Sequence, residues 1–70
     1  GHAVLAQNDG TVTVNGGSFG CSGANSILFY ADGGTIVVED CSISYVHGTR
    51  YGAPNGGQIL VTQVFASSKQ

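Results

Sequence analysis

Side chains able to do chemistry are few on this chain. Only six of its 70 residues are charged, and ionisable groups gather at one place, His47-Gly48-Thr49-Arg50-Tyr51. An imidazole, a guanidinium and a phenol projecting together from a rigid scaffold could bind a ligand, a saccharide foremost. His47, Arg50 and Tyr51 are therefore the candidate ligand loop, and the stretch up to Pro54 is expected to bulge. Catalysis on a polysaccharide would want acidic calcium ligands beside a basic residue. Glu39 and Asp40 are adjacent, so on a strand they point to opposite faces, and no third carboxylate lies near in register. Nothing orders His2 or His47 against a particular serine. The glycine-rich Gly16-Gly17-Ser18-Phe19-Gly20 precedes no helix, so it cannot cradle a phosphate, and turn chemistry accounts for it. The chain is expected to be no enzyme, with no catalytic residue, no metal site and no cofactor.

Composition narrows the partners. A net charge of −2, with Arg50 and Lys69 the only basic side chains besides His2 and His47, gives no reason to approach nucleic acid. Mean hydropathy is +0.16, yet no apolar run nears the roughly 18 residues of a membrane span. No nucleic-acid partner and no membrane insertion are expected. The start at Gly1-His2 without methionine reads as a mature, excised or recombinant chain.

The elements that must position these residues come from a repeat. Gly10-Thr11-Val12-Thr13-Val14 matches Gly34-Thr35-Ile36-Val37-Val38 at an offset of 24, and Gly57-Gln58-Ile59-Leu60-Val61 follows Gly34 at 23. Upstream, Ala3-Val4-Leu5 sits over Ile27-Leu28-Phe29, and Asn8, Asp32 and Asn55 recur just before the glycines. Alternation places Val12 and Val14, Ile36 and Val38, and Ile59 and Val61 on one face. Phe19 and Cys21 over Ile43 and Tyr45 form a second series in the same phase. No apolar residues recur at helical spacing.

Three short strands per copy describe an all-β fold, a right-handed parallel β-helix or β-solenoid of about three coils of 23–24 residues. The coils run approximately 3–26, 27–49 and 50–66, with a tail at 67–70 and no caps. The core stack is Val12, Val14, Ile36, Val38, Ile59, Val61, Phe19 and Ile43. Gly-Gly or Asp-Gly followed by Thr-Val-Thr-Val or Thr-Ile-Val-Val, then Ser-Phe or Ser-Ile, resembles the β-helix repeats of secreted microbial proteins, pectate-lyase-like enzymes and autotransporter-type adhesins among them. The resemblance covers about residues 3 to 66. Right-handed winding is expected from the general preference of parallel crossovers; the resemblance implies a turn ladder of Asn8, Asp32 and Asn55 bonded along the stack and an extracellular or cell-surface location.

Two further expectations concern contacts. Val37 and Leu60 stand where the first copy has Thr13 and should point outward, as a lateral contact. Each coil buries its interior only against a neighbour, so uncapped ends favour a head-to-tail homopolymer. The expected function is thus a structural subunit of an extracellular filament or cell-surface fibre, assembling with itself. The alternative is a fragment of a carbohydrate-binding or polysaccharide-degrading β-helix protein with glycans as partners. Cys21 and Cys41 form no zinc motif. With Cys21 over Tyr45, Cys41 lies four strand residues away, at about 3.3 Å each, so a Cys21–Cys41 disulfide needs a sharp corner, and free buried thiols are the other outcome.

Overall fold

In the computed structural model, residues 2–62 and 64–66 are described. Among them are nine strands and no helix: β1 (Val4–Gln7), β2 (Thr11–Asn15), β3 (Ser18–Cys21), β4 (Ile27–Asp32), β5 (Thr35–Glu39), β6 (Cys41–Val46), β7 (Thr49–Gly52), β8 (Gln58–Val61) and β9 (Val64–Ala66). They form three parallel three-stranded sheets, ordered β1-β4-β7, β2-β5-β8 and β3-β6-β9. Each sheet takes one strand from each layer: β1–β3, then β4–β6, then β7–β9.

Register makes like side chains meet. Val12, Ile36 and Ile59 share a column, as do Val14, Val38 and Val61. Phe19 stands over Ile43, and Val4, Phe29 and Tyr51 make a third column. The displacement from first layer to third is the same in every sheet: Val4 to Tyr51, Thr11 to Gln58, Ser18 to Phe65. Irregularities in one connection are cancelled in the next.

Alternation explains which residues go inside, since successive side chains of a strand face opposite ways. β5 reads buried at Ile36 and Val38 and half-buried between them. The buried core comprises Ala6, Leu28, Phe29, Ala31, Ile36, Val38, Cys41 and Ile43, all but one in the middle layer. Phe29 joins the sheets, its ring edge-on to Phe19 at 5.7 Å and stacked on Tyr51 at 5.8 Å. Such arrangements suit the ring quadrupoles.

Three details differ from the sequence expectation. Val4 pairs with Phe29 and Leu5 with Tyr30, one residue on from the expected alignment, so Leu5 is 46% exposed. Register slips between Phe19 and Gly20, where β6 carries an extra residue, and Cys21 therefore pairs with Val46 and not Tyr45. A bulge of this kind turns following side chains to the other face. The expected bulge after His47 is absent: Thr49–Gly52 is strand β7, paired to β4.

Glycine sets the corners. The turns at Asn8-Asp9 and Asn55-Gly56 have positive φ throughout, closed by Gly10 N–H to Gln7 O and Gly57 N–H to Pro54 O, each 3.0 Å. Just beyond, one layer lies directly on the next. A Cβ at Gly34 would come within 2.8 Å of the Ala6 carbonyl group and the Gly10 oxygen, and one at Gly57 would strike the Ala31 carbonyl oxygen.

Gly34→Ala is therefore expected to lower stability by about 1–3 kcal/mol through overpacking, and Ile36→Ala by about 2–5 kcal/mol through its cavity. Denaturant unfolding checks both. An unchanged midpoint for Gly34→Ala would show that the corner is looser than the backbone distances imply.

Candidate functional site

The residues of the expected ligand loop fall on strand β7, with Arg50 and Tyr51, and on the connection before it, with His47. Arg50 and Tyr51 are neighbours on β7 and so face opposite ways. Tyr51 turns inward onto Phe29 and is 37% exposed. Arg50 is half-buried. His47 lies on the connection from β6 to β7, where its Nδ1 sits 2.9 Å from the Tyr45 hydroxyl. Apolar burial drives the separation, since Tyr51 completes the aromatic column that Phe29 begins.

What gathers instead is Tyr45 with His47. Tyr45 is 51% exposed, its ring centroid 6.1 Å from that of His47. His2 stacks on Tyr30 at 4.4 Å with its Nδ1 3.1 Å from the Ile27 oxygen, a second outward aromatic pair. Among the described residues, no three His, Cys, Asp or Glu side chains meet in a group able to hold a metal ion. Glu39 is engaged otherwise, accepting a hydrogen bond from the Asn15 side-chain amide at 3.1 Å. Asp40 occupies the corner with φ 52°, a backbone that aspartate tolerates better than most residues.

The turn residues behave unequally. Asn55 donates its amide to the Asp32 carboxylate at 2.6 Å, bridging two layers. Asn8 falls one position past the column, because Gln7, not Asn8, pairs with Asp32. Asn8 and Asn55 both take left-handed backbone, at φ 55° and 56°, whereas Gly33 fills that place in the middle layer. Val37 and Leu60 lie in one outward column with Thr13, Val37 half-buried and Leu60 52% exposed.

The two cysteines are free, so the disulfide is not formed. Cys41 is wholly buried at the corner between β5 and β6, its thiol directed at the carbonyls of Glu39 (3.2 Å), Gly16 (3.4 Å) and Val14 (3.9 Å). Cys21 is half-buried on β3, in a column with Val46. No sharp corner folds the two together.

Sequence reading missed the Phe29–Tyr51 stack, and a signal for it was present. Ala6 and Ala31 share a column and Ala53 follows Gly52, the partner of Tyr30. Matching those alanines would have placed Tyr51 over Phe29. The glycines Gly10, Gly34 and Gly57 form a column signalled by their place before each Thr-Val or Gln-Ile strand start.

With a thiol reagent on the folded chain, Cys21 is expected to react and Cys41 only after denaturant is added, since attack needs an accessible thiolate. Equal rates for both would contradict the buried corner. No protein-family model, no curated protein and no solved structure matches the chain.

Proposed function

We propose that the chain winds as a right-handed parallel β-helix of about three coils and acts as a structural subunit of an extracellular or cell-surface fibre, each copy stacking end to end on the next. The observation that carries this reading is the fall in burial from the middle layer outward. Ile36 and Val38 are fully buried, while Val61, in the same column as Val38, is 43% exposed and Val12, Val14 and Ile59 are half-buried. A further layer on either side would bring those side chains to the state of the middle one, at about 25 cal/mol per Å² of apolar surface removed from water.

Shape supports the same reading. Principal extents of 33 × 25 × 13 Å describe a disc whose short axis fits three strands at about 4.8 Å spacing. Its broad faces present the backbone edges of three parallel strands each, a template for further strands. Few charges oppose such pairing, with six in the whole chain. Right-handed winding follows from the strong preference of parallel crossovers for that hand. Threonine, serine and glycine in place of charge suit a secreted fibre protein, as does the resemblance to secreted β-helix repeats.

Sedimentation velocity and negative-stain microscopy of the 70-residue chain across the micromolar range test this. Unbranched filaments whose abundance grows with concentration are expected. A folded monomer throughout would sink the reading.

A glycan-binding role is the second reading, favoured by the exposed Tyr45 ring held at its hydroxyl by His47. Sugar rings stack on exposed aromatics of this kind, burying their apolar faces. On a glycan array, Tyr45→Ala is expected to remove any signal the parent gives, and a parent without signal retires the role.

A further inference from the structure

We infer that the fibre contact continues the chain's own register, with Gly10 of one copy seated against the Ala53 carbonyl of the next copy; the inference rests on the fibre reading above. Inside the chain, the corner follows one rule. Thr35 N–H donates to Gly10 O at 2.8 Å, and Gln58 N–H donates to Gly34 O at 2.9 Å. Continued by one layer, the same rule has Thr11 N–H of an incoming copy donating to Gly57 O of the first.

The glycines follow the same rule. The missing Cβ of Gly34 faces Ala6 of the layer before it, and that of Gly57 faces Ala31. At Gly10, among the described residues beyond its chain neighbours, a Cβ would approach Gln7 O alone within 4 Å, at 3.1 Å, and its φ is outside the left-handed region. Within one chain, alanine at Gly10 thus asks the Gln7 carbonyl to give by a few tenths of an ångström, against the backbone overlap it would meet at Gly34 or Gly57. The atom that an added Cβ would strike lies in another copy. Along the column of Ala6, Ala31 and Ala53, it is the Ala53 carbonyl.

Side chains agree with that register. Val12 and Val14 would meet Ile59 and Val61, extending columns already formed by Ile36 and Val38. Val4 would meet Tyr51 beneath Phe29. Signs do not clash either: among described residues the first layer carries Asp9 and the third Arg50. A second copy is the occupant that presents all of these groups at once, because its first layer is the same sequence family as the layers it would join.

Two variants test the contact. Gly10→Ala is expected to keep the folded far-UV spectrum and melting temperature of the parent while raising the concentration needed for filaments about tenfold or more, the effect of roughly 1.4 kcal/mol per contact. In a Cys21→Ser background, Thr13→Cys with Leu60→Cys places two thiols side by side only across the proposed contact. Within one chain Val37 lies between them, two strand spacings or about 9.6 Å, too far for a disulfide. Mild oxidation is expected to give a covalent ladder for that pair and much less for Thr13→Cys with Gln58→Cys, which is out of register. Should Gly10→Ala not fold, the crosslinking pair decides alone. Filaments that form while the in-register pair links no better than the shifted one overturn this contact but leave the fibre reading standing; a parent chain that never assembles overturns both.

Discussion

Parallel strands bond at about 4.8 Å, and here that spacing is enforced at a corner as well as along the strands. Between β4 and β5 and again between β7 and β8, backbone lies on backbone so closely that a single methyl group at Gly34 or Gly57 would meet carbonyl carbon or oxygen of the layer before. Because the corners cannot swell, the columns beside them cannot drift. The turns themselves differ in length, Asn8 to Gly10, Gly33 to Gly34 and Ala53 to Gly57, yet each delivers the next strand to the same place. Positive φ at Asn8, Asp9, Gly33, Asn55 and Gly56 lets short and long turns reach the same end point.

With the spacing fixed, hydrophobic burial is divided unequally among the layers. The middle one supplies Leu28, Phe29, Ala31, Ile36, Val38, Cys41 and Ile43, and the outer two contribute mostly partly buried side chains. A core one layer thick is a small reserve for a domain whose net stability is on the order of 5–15 kcal/mol. That imbalance leaves the inward side chains of the outer layers, Val12, Val14 and Ile59 among them, only partly removed from water. Polar side chains act locally, as Asn15 with Glu39 and Asn55 with Asp32 bridge adjacent layers at the rim.

The β2-β5-β8 sheet was legible from the residues because its three strands keep a strict alternation after a glycine, so Val12, Ile36 and Ile59 announce themselves. The β1-β4-β7 sheet was not, because Leu28 and Phe29 are adjacent and both buried, and alternation alone could not say which of them is in phase. The extra residue in β6 was equally silent. One inserted serine, tyrosine or valine looks like any other until pairing shows that Gly20 meets Tyr45 and Cys21 meets Val46. The expected projection after His47 was misread for a related reason: polar composition suggested a bulge, whereas Thr49–Gly52 pairs with β4 and Tyr51 stacks on Phe29.

The amino-acid order alone determined the strand-and-turn grammar, the three copies and the inward faces of the most regular sheet, because these depend on spacing within a few residues. Only the tertiary structure decided that Tyr51 stacks on Phe29, that Cys21 and Cys41 stay unbonded, and that Asn8 stands outside the column bridged by Asp32 and Asn55. Those outcomes turn on how layers separated by more than twenty residues align. A one-residue shift in that alignment exchanges inside for outside, and contacts across layers, not local preference, select which shift wins.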